Sequence, residues 1–567
     1  MKEIKLSAPV SLGYGFGKLM PYEVYQAVIV ENNTLDQITS LKLYQDAVQK
    51  AQNELDTIVH HLKEENDEKS EIFNAHIEIL NDIEVNDMIV NFINEGYHPT
   101  KAVDVSYKTF KSMLDMIDDP YIKARVADLD DVKTRVLRNL DDKVYPDISK
   151  LEEDVIIVTY DLYPSDTATM DRTHVKGIIT EIGSNTSHSA IIAKSYDIPA
   201  IIGVKDLLKL GLEGPAILDA VTGSVIVDYD LETKDKYLAK QQAFLQEKQD
   251  TLKYLNQSAK TLDGNDIEIH LNIGSNHDES LDSVNAVDGI GLFRSEFLFM
   301  ENTHLPTFEE QVKVYEDVSV KFEGKKVTLR TLDIGGDKKL SYLTLPEEEN
   351  PFLGKRALRL CFEHMDMFKT QIKAALVGSV KHNIQLMFPM VGSIDDIVRA
   401  KEVVLECKKE LDLEDVAYDH DLKIGIMIEI PSIAMMSDEV CQLVDFASVG
   451  TNDLTQYLHA VDRMNTDIKS YYQSYSPAVF RVLKMISDSF NAHDKGLSIC
   501  GELGGDEIAA PILIGLGIKK LSMSLSQVAK IKKIINTHEQ KTFDDIAQKV
   551  LKAKTQEEVI EIVKNSL

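Results

Sequence analysis

Asn272, Arg294, Arg330, Glu429, Asn452, Asp453 and Cys500 all stand at or just past the end of a short apolar run, with Lys338 and Arg463 one brief loop further on. Arg294, Arg330, Lys338 and Arg463 suit a small polyanion, because a guanidinium fork matches phosphate or carboxylate with two parallel hydrogen bonds. Glu429 and Asp453 are hard oxygen donors of the kind Mg²⁺ takes while it keeps water and substrate oxygens. Any one of these charges alone is more often a structural ion pair. Their joint position at strand ends, where an unpaired charge is costly to bury, favours a ligand site. Cys500 closes LSICG just before Gly501 and Glu502, where a thiol can face a substrate as proton donor or fill a core gap. Cys361, Cys407 and Cys441 lie in helical stretches and are read as core. His188 follows the turn from Gly183 to Ser187 and opens the apolar run AIIAK, the pattern of an exposed side chain at a helix N-terminus. Backbone amides there favour a phosphate carried on the imidazole, although a histidine taken at random is more often a surface or core residue.

Groups placed in this way need parallel strands ending on one face. Strand candidates recur at 267–273, 289–294, 326–332, 384–390, 423–430, 446–450, 497–501 and 519–524, with helix-length amphipathic spacers between most of them. Eight strand-then-helix units predict a C-terminal TIM (β/α)8 barrel over 259–567, whose chemistry sits at the C-terminal strand ends.

The chain before the barrel has two textures. Between Gly17 and Gly177 Gly96 is the lone glycine, and Leu41, Tyr44, Val48, Ala51, Leu55, Ile58 and Leu62 step by threes and fours. EIFNAHIEIL and the segments after Pro99 and Pro120 add further helices, so 21–144 reads as an α-helical bundle. DVIIVTY, VKGIITE, IPAIIGV, AILDAV and SVIVDY then give a small β-rich α/β domain, 1–20 plus 145–230, into which the bundle is inserted. A charged stretch over 231–258 without glycine or proline reads as a helical linker. The formal charge of −31 opposes nucleic-acid binding and direct membrane contact. The segment MKEIKLSAPV lacks an apolar leader core and no apolar run reaches the roughly 20 residues of a membrane span, which predicts a cytoplasmic protein. Four cysteines without a CxxC argue against disulfides and zinc.

GIGLFRSEFLFM, LRTLDIGGDK, ENPFLGKRALR, IGIMIEIPS, VGTNDLTQY, AVDRMN and CGELGGD resemble, in order and spacing, the phosphoenolpyruvate site of enzyme I of the bacterial sugar phosphotransferase system. TSHSAIIAKSYDIPAIIG resembles that family's phosphohistidine loop, and AHIEILND and ADLDDVKTRVLRNL match its helical insert more loosely. The resemblance implies a phosphoenolpyruvate-protein phosphotransferase with a swivelling β/α phosphohistidine domain. It implies that His188 is the phosphorylated nucleophile, that Thr167 orients it, and that the bundle binds the carrier protein HPr. It further implies Mg²⁺ on Glu429 and Asp453, and phosphoenolpyruvate on Arg294, Arg330, Lys338, Asn452 and Arg463. Cys500 would protonate the enolate, Arg356 would support the site, and the barrel would form a homodimer. Ser184, Lys194 and Lys355 depart from the family pattern. Pyruvate phosphate dikinase and phosphoenolpyruvate synthase share the phosphohistidine domain and barrel but need an ATP-binding domain. The nearly glycine-free region before 153 offers no phosphate-cradling loop for one. A catalytically silent carrier-docking regulator is the alternative from another class, and intact His188, Asp453 and Cys500 weigh against it.

Overall fold

A computed structural model of the chain describes every residue except 1, 8, 23–26, 65–69, 116–119, 142–147, 149–150, 163–165, 168–169, 184–186, 337, 339, 341, 344 and 346–347. Its residues form two compact units, Met1–Glu247 and Lys248–Leu567.

The first unit holds a mixed eight-stranded sheet. Its strands are β1 (Lys2–Lys5), β2 (Pro9–Ser11), β3 (Tyr14–Tyr22), β4 (Val155–Thr159), β5 (Val175–Thr180), β6 (Ala200–Ile201), β7 (Gly214–Asp219) and β8 (Ser224–Val227), in the order β1-β8-β7-β3-β4-β5-β6-β2. Every residue of β4 is buried, as befits a central strand covered on both faces. Ile156 and Val158 enter one apolar cluster and Val155 and Ile157 another, the period of two that pleating imposes. The middle of this sheet was hard to foresee. β3 is written YGFGKLMPY, and a side chain at Gly15 would place its Cβ 2.1 Å from the Lys176 carbonyl oxygen. Glycine is what permits the backbones to approach there, and it also erases the strand signature.

The insert contributes helices Gln37–Glu64, Ser70–Leu80, Ile83–Asn94, Pro99–Asp115 and Pro120–Leu140 around a separate core that includes Tyr44, Ala51, Leu55, Ile89, Val103 and Val132. The helix missed by periodicity, Ile83–Asn94, is set apart by its N-cap Asp82, whose carboxylate accepts from the Val85 amide. The expected linker helix spans Leu231–Leu252 and stops short of 258. It is not free of the sheet: Gln241 donates to the Tyr14 carbonyl at 2.7 Å, and the Tyr14 ring meets those of Tyr237 and Phe244 edge-on.

The second unit is a closed, all-parallel barrel of β9 (Glu268–Ile273), β10 (Gly289–Arg294), β11 (Lys326–Arg330), β12 (Ile384–Phe388), β13 (Lys423–Ile428), β14 (Phe446–Val449), β15 (Gly496–Ile499) and β16 (Lys520–Met523), with β16 paired to β9. All eight strand expectations hold to within a few residues. Val327, Leu329, Leu386, Phe388, Ile426 and Ile428 face the surrounding helices, where fully burying such a side chain stabilises by about 1.5–3 kcal/mol. Leu292, Met387, Met427, Phe446 and Cys500 form a small apolar cluster of their own, the plug of the barrel interior. Among the described residues no helix is long and apolar enough to cross a membrane.

Candidate active site at the barrel mouth

The C-terminal strand ends surround a cavity of about 490 Å³. Arg294 ends β10 and Arg330 ends β11, Glu429 follows β13, and Cys500 follows β15. Asn452 and Asp453 sit one element later than expected, in the first turn of helix Thr451–His459. Lys338, Arg356 and Arg463 reach the same cavity from loops, so every residue given a binding, metal or acid role in the barrel lines it. Asn272 does not: its amide donates to the Cys500 carbonyl at 3.0 Å and its oxygen accepts from Ser522 at 2.6 Å, which buttresses the strand carrying the thiol.

The cations are not equivalent. Arg330 and Lys338 both bond Glu296 Oε1, the lysine at 2.6 Å, and Arg330 also pairs with Asp333 at 3.0 Å. Arg356 spans Asp333 at 2.9 Å and Asp453 at 3.2 Å. Arg330 and Lys338 thus have protein counterions as well as a place on the cavity wall. Glu296 and Asp333, both buried, were missed by sequence reasoning although each lies in a quoted motif. The signal was available, since an arginine predicted at a buried strand end requires a carboxylate nearby. Burial alone would raise the Asp333 carboxyl, but Arg330, Arg356 and Lys338 outweigh it and hold it below the usual range. Arg463 approaches Asp453 only at 4.0 Å. Arg294 has no hydrogen-bond or ion-pair partner among the described residues, and burial, then the neighbouring Arg330, depress its pKa.

Glu429 is fully buried. Its Oε1 accepts from the Met390 amide at 2.6 Å, from a residue held at φ 54°, while its Oε2 has no hydrogen-bond partner among the described residues. Burial, then Asp453 and Asp333, push its pKa to about 8. A cradle at Gly450 serves it, because a Cβ there would lie 2.7 Å from Oε2. The Cys500 thiol is 3% exposed and pushed up to about 11, chiefly by burial, so it carries its proton at neutral pH. Cys361, Cys407 and Cys441 are buried in helices, as expected.

In the first unit, His188 is the first residue of helix His188–Ser195, with Ser187 as N-cap. Its side chain, and residues 184–186 before it, lie outside the described residues. Thr167 is buried, and next to it Asp166 accepts from the Tyr22 hydroxyl at 2.7 Å.

Three family models match this chain: the PEP-utilising enzyme N-terminal domain over 7–125, the mobile domain over 151–223 and the PEP-binding domain over 248–540. The phosphoenolpyruvate-protein phosphotransferase of Priestia megaterium is 40% identical over 568 residues, covering 100% of this chain and 99% of the relative. That of Bacillus subtilis (strain 168) is 38% identical over 569 residues and covers 100% of both chains. That of Geobacillus stearothermophilus is 39% identical over 563 residues, covering 98% of this chain and 97% of the relative. With a closed parallel barrel, charged side chains gathered at its mouth and likeness along the whole length, the chain belongs to the phosphoenolpyruvate-protein phosphotransferase family of PEP-utilising enzymes.

Proposed function

We propose that the chain moves the phosphoryl group of phosphoenolpyruvate to its own His188 and from there to a histidine of the carrier HPr, which starts a sugar phosphotransferase cascade in the cytoplasm. The observation that carries this reading is Arg294, a desolvated cation without a hydrogen-bond or ion-pair partner among the described residues, lining the same cavity as Glu429, Asp453 and Cys500. A group left charged and unpaired in a site otherwise full of ion pairs is matched by a ligand anion.

The residues fit a divalent metal. Glu429 Oε2 is buried without a hydrogen-bond partner among the described residues, and burial beside Asp453 and Asp333 makes its charged form costly, a cost that a bound dication removes. Mg²⁺ held by Glu429 and Asp453 would neutralise charge on the phosphoryl oxygens. Arg294, Arg330, Lys338, Asn452 and Arg463 bind the anionic substrate, Arg330 and Lys338 while held by Glu296 and Asp333, and Arg356 keeps the walls in register through Asp333 and Asp453. Phosphoryl transfer passes through a loose transition state, so alignment and charge neutralisation are most of the work. As the P–O bond breaks and the N–P bond forms at His188, the remaining enolate takes a proton at its methylene carbon from Cys500 to become pyruvate.

The division of labour follows the chain. The region 1–20 plus 145–230 carries His188 and swivels between donor and acceptor, 21–144 receives HPr, and 259–567 binds phosphoenolpyruvate and forms a homodimer. His188→Ala tests the reading: it is expected to bind phosphoenolpyruvate with Mg²⁺ yet gain no acid-labile phosphate. Labelled phosphate on the purified variant would refute the assignment.

A further inference from the structure

The barrel has a second cavity at its other end, and nothing in the proposed reaction uses it. It measures about 280 Å³ and lies against the N-terminal ends of the strands, lined by Lys326, Lys423 and Lys520 at their first residues and by His270, Gln385 and Ser522 inside. The usual filling of a TIM barrel is layers of bulky aliphatic side chains. Here Gly291, Thr328, Ala447 and Ser498 take up little room, and the space stays open.

Charge and hydrogen bonding at this floor are specific. Glu268 Oε2 accepts from His270 Nε2 at 3.1 Å and pairs with Lys520 at 3.0 Å, so one acid serves both. Asp445, also on the cavity wall, accepts from the Ile424 amide at 2.8 Å. Lys326 and Lys423 have no hydrogen-bond or ion-pair partner among the described residues. The pKa of Lys326 is depressed by burial and then by the Lys520 ammonium, the condition that a bound anion relieves. Three lysines against two carboxylates leave a local positive surplus on a chain whose net charge is −31. His270 is 5% exposed, and its Nδ1 is buried with no hydrogen-bond partner among the described residues. In the tautomer whose Nε2 donates its hydrogen to Glu268, Nδ1 carries a lone pair that can accept from a ligand hydroxyl.

We propose that this floor cavity binds a small oxyanion that carries a hydroxyl, of which hydrogen phosphate is the simplest, with Lys326 and Lys423 on its oxygens and His270 Nδ1 accepting from its O–H. The volume falls just under the range of drug-sized pockets and suits an ion of this size with a few waters. The free ion supplies this O–H and a phosphate monoester does not, because the monoester is mostly a dianion without an O–H at neutral pH.

The test is calorimetric titration of the full-length protein with inorganic phosphate, sulfate and methyl phosphate. Arg294→Met serves to silence the mouth. Phosphate is expected to bind Arg294→Met at one site and to bind Arg294→Met/Lys326→Met at least about tenfold more weakly. Sulfate, which has the same shape but no proton at neutral pH, should bind about tenfold more weakly than phosphate, the worth of one hydrogen bond. Methyl phosphate, mostly a dianion without an O–H at neutral pH, should bind as weakly as sulfate. Phosphate binding that disappears in Arg294→Met alone, or that survives Lys326→Met unchanged, overturns the proposal. Equal affinity for sulfate removes His270 from it.

Discussion

The two ends of the barrel are built from the same eight strands and both gather cations, yet they treat them in opposite ways. At the mouth, Arg330, Lys338 and Arg356 are each bound to a buried carboxylate supplied by the fold. At the floor, Lys326 and Lys423 stand without one among the described residues. The apolar plug separates them: Leu292, Met427 and Cys500 line the upper cavity and Phe446 the lower. A mouth whose charges are matched internally keeps its geometry whether or not a substrate is present, the pre-organisation that transition-state stabilisation requires. Arg294 is the exception there and so marks the side on which the ligand must supply the charge. The floor resembles Arg294 more than it resembles the rest of the mouth.

The largest expected effect lies in the mouth network. Asp333 is bonded to Arg330 and Arg356 at once, so Asp333→Ala leaves two buried guanidiniums short of a counterion. Breaking a buried pair on one side costs about 3–5 kcal/mol, and denaturant unfolding should register it. Lys326→Met removes a charge that has no hydrogen-bond or ion-pair partner among the described residues and is expected to change stability by no more than about 0.5 kcal/mol. Equal costs for the two variants would abolish the contrast between matched and unmatched cations.

The next effect concerns the plug, where one residue belongs to both chemistry and packing. Cys500→Ala removes a single sulfur from a small apolar cluster and should cost about 1 kcal/mol in stability. A thiol pushed up to about 11 is an acid rather than a nucleophile at neutral pH. Exchange of label between pyruvate and phosphoenolpyruvate, which must remove the methyl proton, is expected to fall by roughly 10²-fold to 10⁴-fold in this variant, while binding of phosphoenolpyruvate persists. Near-normal exchange would return Cys500 to the plug alone.

The mouth was far more legible in the sequence than the floor, for a physical reason. Arg294, Arg330, Glu429 and Cys500 close their strands' apolar runs, and a charge next to a run of isoleucines and leucines stands out. Lys326, Lys423 and Lys520 open theirs, where a lysine looks like an ordinary solvated strand start. Glu296 escaped notice because it lies beyond the strand end, inside SEFLFM, where a carboxylate reads as a helix's polar face. Residue order gives strands and their ends, but pairing across strands depends on closure of the barrel, which puts Asp333 of one loop against Arg356 of another. β3 was illegible for the opposite cause: the glycines that let it lie against its neighbours removed the side chains by which a strand is recognised.

The smallest effect tests whether the floor holds any organised charge at all. The Glu268 carboxyl is lowered from 4.5 to about 2, first by the hydrogen bond from His270 and, against the cost of burial, by Lys520. A carboxyl depressed in the folded state contributes stability that is complete above pH 4.5 and is lost as pH falls from 4.5 toward 2. The full shift would correspond to about 3 kcal/mol, but the side chain is 44% exposed, and solvent screening reduces the expected figure to about 1 kcal/mol. Glu268→Gln keeps an oxygen that accepts from His270 while removing the charge. It should therefore unfold about 1 kcal/mol more easily than the parent protein at pH 7, with the gap narrowing as the buffer is taken below pH 4.5. Measured by urea unfolding, a gap that stays constant over that range would mean that His270 and Lys520 exert no hold on Glu268, and the floor would then be a polar void rather than an arranged set of charges.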